Sequence, residues 1–391
     1  MEAIYLDNNA TTPLHPNVKK AIVEALDLWG NPSSSNAFGQ KAKEAIEKAR
    51  NRVAGLFETG EENVIFTSGG TETNNWIISS AIEGFECRGK ARVITSVIEH
   101  PSVQNPLRER QAKGEIELME LAIDAKTGCV DISHLPQLLN ENTCLVSCML
   151  ANNETGVYQP LEEISRIVRA SQFAENILIH SDVAQVVGKR AVNLNRLGVD
   201  VVTVVGHKFY GPRIGALVYG HKKRRLKPML YGGGQEDGNR SGTENTPMVV
   251  ALGVAAEEAL QSSSSGILLN NRSLFEAELK NAFGSAVTIN FENSDRLENT
   301  TSATFSKSLI TACDIVEKAE SFIASTGAAC HATSVTPSAV LLACGLSEEA
   351  AVRTIRFSFG TKMVDLDDLQ RVISELQMLT SISSEYKYTA P

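Results

Sequence analysis

Between residues 64 and 219 the chain alternates short β-rich runs with stretches of helical period, and this alternation constrains the fold more than any other feature of the sequence. The runs are Val64–Thr67, Arg92–Thr95, Leu145–Leu150, Ile177–His180, Val201–Val205 and Ala216–Tyr219. A run such as Val201-Val202-Thr203-Val204-Val205 offers no polar face, so both of its sides must be covered, as in a parallel strand between two layers of helices. Ahead of these runs, Val18, Ile22, Leu26 and Trp29 fall on one helical face with Pro16 in the first turn. Ala42, Ala45, Ile46, Ala49, Val53 and Leu56 form a second stripe. The pattern predicts an α/β domain built on a largely parallel sheet. The tract Gln261-Ser262-Ser263-Ser264-Ser265-Gly266 interrupts a helix ending near Leu260 and reads as a linker into a smaller C-terminal domain.

With 391 residues the chain has room for two packed domains. A formal net charge of −9 argues against a general nucleic-acid binder, which needs clustered Lys and Arg to displace counterions, and points to a small-molecule partner. Seven cysteines, an odd number without regular spacing, read as reduced thiols in a cytoplasmic protein. Met1–Asp7 shows no basic and apolar leader, and no apolar run approaches membrane-spanning length, so no membrane association is expected.

Four places carry candidate chemistry. Ser68-Gly69-Gly70-Thr71-Glu72 follows a strand and enters a helix, where free N–H groups suit a phosphate, although such turns more often only connect. Lys208 lies just past a buried strand; desolvation there makes an amine nucleophilic, whereas a lone lysine at a strand end is more commonly solvated. Asp182, with Gln185 three residues on, ends another strand and faces either a ligand crevice or a helix as its cap. Cys330 sits in a run of small residues, Ser325–Ser334, read as a mobile loop that suits a nucleophile, the plain alternative being an inert thiol. His331 beside it reads as solvated. Cys144 and Cys148 read as core residues, and Cys87, Cys129, Cys313 and Cys344 show no metal-ligand spacing, so no metal is expected.

Together these residues resemble a fold-type I pyridoxal-phosphate (PLP) enzyme of the cysteine desulfurase family. The resemblance runs over nearly the whole chain and rests on Tyr5–Pro13, Gly30–Ser34, Glu99-His100, Asn152–Gly156 and Arg240–Asn245. Within that family, Gly206–Leu217, Gly232–Glu236, Gly242–Met248 and Gly327–His331 look most like the selenocysteine lyases. The resemblance implies a large PLP-binding domain (14–260) with a mainly parallel seven-stranded sheet. It implies a smaller α+β domain, made of 1–13 with 261–391, that carries the cysteine. It assigns Lys208 to the Schiff base and to moving the substrate's Cα proton, and Asp182 to the ring nitrogen. His100 stacks on the ring; Asn153 and Gln185 lie near its hydroxyl; Gly70, Thr71 and His207 lie near the phosphate, joined by Thr243 from the other subunit of a homodimer. Arg356, with Asn9 nearby, takes the substrate carboxylate, and Cys330 accepts the departing atom.

The implied reaction is cleavage of L-selenocysteine to alanine and reduced selenium. The alternative is a cysteine desulfurase forming a Cys330 persulfide for an acceptor protein. An aminotransferase needs no cysteine at 330, and a PLP-fold scaffold needs none of these groups. Two departures stand out: Val205 occupies a position where many bacterial members have serine, and Pro101 one where desulfurases often have a basic residue. The basic run His221–Arg225 reads as a solvated turn.

Overall fold

A computed structural model describes residues 2–84, 89–220, 226–262, 266–327, 329–331 and 334–381, with backbone alone for 329–331 and 334–335. Cys87, the basic run 221–225 and Ser263–Ser265 of the proposed linker lie outside the described residues.

The seven strands of the central sheet are β1 (Val64–Thr67), β2 (Ala91–Ser96), β3 (Ile116–Leu121), β4 (Thr143–Ser147), β5 (Leu178–Asp182), β6 (Val201–Val205) and β7 (Gly215–Tyr219). Their order across the sheet is β1-β7-β6-β5-β4-β2-β3. Only β7 runs antiparallel to its neighbours, β1 and β6; the other pairings are parallel. The expected fold class, a mainly parallel seven-stranded α/β sheet, is the one observed. The central strands β4, β5 and β6 are buried at every residue, including the polar His180, Ser181 and Asp182 that end β5.

Three local differences have physical causes. Strand β3 was not expected: Ile116-Glu117-Leu118-Met119-Glu120-Leu121 lacks the apolar density of a central strand because it is an edge strand, with Glu117 and Glu120 keeping the edge soluble. The run expected at Leu145–Leu150 begins earlier, at Thr143, and leaves strand geometry after Ser147, where the chain turns into the site. The helical stripe expected to reach Trp29 stops at Ala25. Leu26 and Trp29 are 61% and 72% exposed, and Trp29 stacks on Phe38 at 4.8 Å on the surface instead of entering the core.

A four-stranded antiparallel sheet lies C-terminal, in the order Ser325–Thr326, Thr354–Ser358, Thr300–Phe305, Val287–Ile289. Its core gathers Phe275, Phe305, Phe322, Phe357 and Phe359 and includes Leu6 from the N-terminal segment. The short strand Ile4–Tyr5 pairs with Phe322–Ile323 and brings the N-terminus onto this unit. The backbone at Cys330 is also better ordered than a loop. Ala329–His331 pairs with Ser334–Thr336 as an antiparallel ribbon, Cys330 opposite Val335, because Val335 and Thr336 favour extended backbone.

Helices Ala37–Gly55 and Thr246–Ser262 pack closely on one face of the sheet, and Gly253 permits their approach, since a Cβ there would lie 2.6 Å from the Ala49 Cα. Gly253→Ala gains about 1 kcal/mol of helix propensity but forces two backbones apart at a cost of about 1–3 kcal/mol. The expected net result is a lower urea midpoint with an unchanged m-value.

Candidate active site

The six parallel strands end on one edge of the sheet, and the segments that follow five of them converge on one cavity of about 300 Å³. Gly70 and Thr71 follow β1, His100 and Ser102 follow β2, Met149 and Asn153 follow β4, Asp182 and Gln185 end β5, and His207 and Lys208 follow β6. Asn9 arrives from the N-terminal segment and Arg356 from the antiparallel sheet. Ten of the expected site residues therefore line a single cavity. Thr243 does not; it is exposed on its own loop. The side chain of Cys330 lies outside the described residues, so only its backbone place on the ribbon is fixed.

Lys208 Nζ donates to the carbonyls of Asn9 (2.8 Å) and Ala10 (2.7 Å) and, among the described residues, pairs with no carboxylate within salt-bridge distance. Burial, reinforced by the Arg356 charge, pulls its pKa down to about 8. The backbone is strained close by: Tyr210 has φ 63°, held by its N–H donating to Thr12 Oγ1 (2.6 Å) and its hydroxyl accepting from the Thr361 N–H (2.8 Å). His207 is pushed down to about 4 by burial and by Lys208, so it is neutral beside Thr11 Oγ1 at 3.0 Å.

Asp182 ends a directional hydrogen-bond chain that sequence reading did not reveal. Asn74, from the helix Gly70–Glu83, donates through Nδ2 to Asp182 Oδ2 (2.9 Å) and Ser102 Oγ (2.8 Å). Its Oδ1 accepts from Thr203 Oγ1 at 2.6 Å. Thr203 must then accept from His180 Nε2 (3.0 Å), which leaves His180 Nδ1 to accept from Ser147 Oγ (2.8 Å). Only a neutral His180 can serve both roles, and burial does push its pKa down to about 4. At the other end, His100 Nδ1 accepts from the Ser102 N–H (3.1 Å), so the Ser102 hydroxyl at 2.7 Å donates to the same nitrogen. Asp182 and His100 are thus aimed by one network. The sequence signal for it was weak: isolated Ser, Thr and Asn on buried elements.

Gly70 is constrained from below, since a Cβ would lie 2.7 Å from Val205 Cγ2; Val205 therefore closes the floor with a methyl group where a serine would offer a hydroxyl. Arg356 donates to Asn153 O (3.0 Å) and Asp7 Oδ1 (2.5 Å), and its buried Nε has no partner among the described residues.

A lysine amine whose pKa burial lowers to about 8, an aspartate and a histidine aimed at the same space, and a glycine turn at a helix start fit an aldehyde-phosphate cofactor. The Aminotransferase class-V family model matches residues 4–372. The chain belongs to the class-V aminotransferase family. Like its relatives, this class-V protein is a PLP-dependent enzyme. It is 41% identical to a selenocysteine lyase of Xenopus laevis, covering 97% of this chain and 95% of that one. It is 37% identical to the cysteine desulfurase IscS of Dictyoglomus turgidum, with 98% of both chains covered. A solved NifS-like protein superimposes with a TM-score of 0.87 at 31% identity, covering 97% of this chain and 99% of that chain.

Cys144 and Cys148 are buried, as expected. Cys129, Cys144, Cys148 and Cys344 are free thiols, but Cys313 is disulfide-bonded, against the expectation that all seven are reduced. Sequence spacing carries no information on which thiols meet in space. Among the described residues no helix is long and apolar enough to cross a membrane, and no cluster of metal-ligand type occurs.

Glu99 is buried beside the site. Its Oε1 accepts from Ser96 Oγ (2.5 Å) and the Met149 N–H (2.9 Å), while Oε2 has no partner among the described residues, and burial raises its pKa to about 8. A carboxyl group with a raised folded pKa adds stability that is full below its unfolded value and is lost as pH rises through the folded one. Wild-type protein should therefore lose stability relative to Glu99→Gln between about pH 5 and pH 9. Urea unfolding of both at each pH reads the difference, and a gap that does not change with pH refutes a neutral Glu99.

Proposed function

We propose that this chain cleaves L-selenocysteine to L-alanine and reduced selenium, with PLP carried on Lys208 and Cys330 meeting the departing atom. One observation carries the reading: the buried Lys208 amine, paired with no carboxylate among the described residues, shares its cavity with Asp182, His100 and Arg356. The 41% identity to a selenocysteine lyase over nearly the whole length of both chains supports this substrate class.

The residues present suit the cofactor. Gly70 and Thr71 at the helix start, with neutral His207, offer donors to a phosphate without excess positive charge. Asp182 would hold the ring nitrogen, His100 would cover the ring face, and Asn153 and Gln185 would attend its hydroxyl. Bound there, PLP supplies an electron sink for the bonds at the substrate's Cα.

The chain's own groups do the rest. Lys208, its pKa lowered to about 8, would reach the free-amine form more readily than an ordinary lysine; it would hold the cofactor and, once the substrate amine had taken its place, would carry the Cα proton. Arg356, which lines the cavity with Asn9, would turn the planar fork now held by Asn153 O and Asp7 to the substrate carboxylate. The Cys330 thiolate would attack the chalcogen, forming an S–Se bond (S–S for cysteine) as the Cβ–chalcogen bond breaks; that bond's electron pair stays on Cβ, which takes a proton to give alanine, and an external thiol reductant then frees the chalcogen from Cys330 as selenide.

A second reading is a cysteine desulfurase, in which Cys330 takes sulfur as a persulfide and passes it to an acceptor protein; the 37% identity to IscS favours it. A homodimer completes the proposal. Thr243 is exposed and does not line its own chain's cavity, as a residue lent to the partner's phosphate would not, and the exposed Trp29–Phe38 pair with Leu26 offers an apolar surface for contact.

Alanine formation from L-selenocysteine and L-cysteine at matched concentrations tests the substrate. A strong preference for selenocysteine supports the first reading; comparable turnover of both, abolished in Cys330→Ala, establishes the second. Lys208→Ala should lose turnover of either substrate by roughly a thousandfold or more. For the assembly, sedimentation should give a dimer that Trp29→Lys weakens, with activity rising with protein concentration in the variant.

A further inference from the structure

Lys189 is a second buried lysine beside the cavity, and the mechanism above does not use it. It follows Gly188, whose φ of 78° suits a glycine and where a Cβ would lie 2.8 Å from the Phe209 Cβ, so the turn can pack against Phe209. Lys189 is 7% exposed, and among the described residues its amine meets no carboxylate. Its Nζ instead donates to two amide oxygens, Asn9 Oδ1 (2.9 Å) and Gln185 Oε1 (3.0 Å). An ammonium has three hydrogens to place and a neutral amine has two, so two acceptors match the neutral form. A buried, unpaired ammonium is costly, which favours the same form. Burial and the charges of Lys208 and Arg356 push its pKa well below that of a free lysine.

Those two contacts fix the orientation of both amides. Asn9 Oδ1 accepts from Lys189 and from Asn299 Nδ2 (3.1 Å), so Asn9 Nδ2 must face the other way, toward Thr300 Oγ1 (2.8 Å) and Asn153 O (3.2 Å). Asn153 O also holds Arg356. Gln185, with its oxygen committed to Lys189, turns Nε2 onto Asn9 O at 3.0 Å, the carbonyl that also holds Lys208 Nζ. Through two amides, one uncharged amine reaches both the cofactor lysine and the carboxylate-binding arginine.

We propose that Lys189 is a positioning residue: as a neutral double donor it sets the orientation of Gln185 and Asn9, and through them the places of Lys208 and of the cofactor's ring hydroxyl. This rests on the PLP reading of the cavity. A permanent charge at 189 would repel Lys208 and Arg356, whereas a neutral amine holds the same geometry without that penalty.

The test is a titration of apo-protein with PLP, followed by visible absorbance, for wild type, Lys189→Met, Gln185→Ala and the double variant, with the thermal midpoint of each apo-protein alongside. Lys189→Met should bind PLP about tenfold more weakly and show a diminished visible band. In the Gln185→Ala background the same change should add less than about twofold, because its effect passes through that amide. Lys189→Gln keeps an N–H₂ donor at shorter reach, should fall between, and is judged by the same criteria if the methionine variant does not fold. The proposal is overturned if either variant lowers only the thermal midpoint and leaves affinity and band as in wild type, or if the losses multiply fully in the double variant. Failure of wild type itself to bind PLP would instead sink the cofactor reading on which this one stands.

Discussion

Parallel strands buried on both faces can offer their carboxyl ends only at one edge of a sheet, and the central site of this protein hangs from that edge. The apolar runs that make β4, β5 and β6 central leave Asp182 and Lys208 as the first polar groups beyond the core. Pairing of β1 with the reversed strand β7 returns β1 to the common direction, so the helix start at Gly70 opens toward the same space. The N-terminal segment and the antiparallel sheet then close over this edge, supplying Asn9 and Arg356. The cavity is a consequence of strand direction before it is a consequence of any one side chain.

Electrostatics within the cavity follow from the same burial. Lys208, Lys189, Arg356 and three histidines lie within or close beneath it, a surplus of potential positive charge in a poorly solvated place. Burial weakens their hold on protons: His180 and His207 are pushed down to about 4 and are neutral, Lys208 is pushed down to about 8, and Lys189 is displaced in the same direction. Arg356 is matched by Asp7 at 2.5 Å. Glu99, buried without a cation, moves the opposite way and holds its proton. One cause, loss of water, therefore leaves a nucleophilic amine, neutral ring donors and one committed anion-binding fork.

Among the residues that touch the cavity, Lys208, Asp182 and Gly70 were legible as positional candidates, standing where buried strands end or a helix begins, each beside a plainer reading; Asn9, His100, Asn153, His207 and Arg356 were legible only through the family resemblance. The residues that aim them were not. Asn74, Ser102, Thr203 and His180 contact one another across four elements, and no spacing along the chain reports which hydroxyl meets which amide. Lys189 was hidden for a related reason, because a lysine four residues after Gln185 looks solvated until Gly188 turns it inward. Strand β3 and the end of the first helix show the converse, where edge position and surface exposure weaken the periodicity that betrays buried elements.

Selection between sulfur and selenium cannot rest on the size of this cavity, because the two atoms differ too little in radius for a packed wall to sort them. It must rest on ionisation, since a selenol loses its proton more readily than a thiol and the leaving atom's charge decides whether an acid or an acceptor is required. The cavity side of the site is ordered by carbonyls and amides around Lys208 that respond weakly to that difference. On the proposed reading that choice falls to the Cys330 thiol on the ribbon Ala329–His331, whose flanks join two parts of the protein: Ser325–Thr326 pairs into the antiparallel sheet, and Ser338 Oγ donates to Glu154 Oε2 (2.6 Å), next to Asn153 of the cavity.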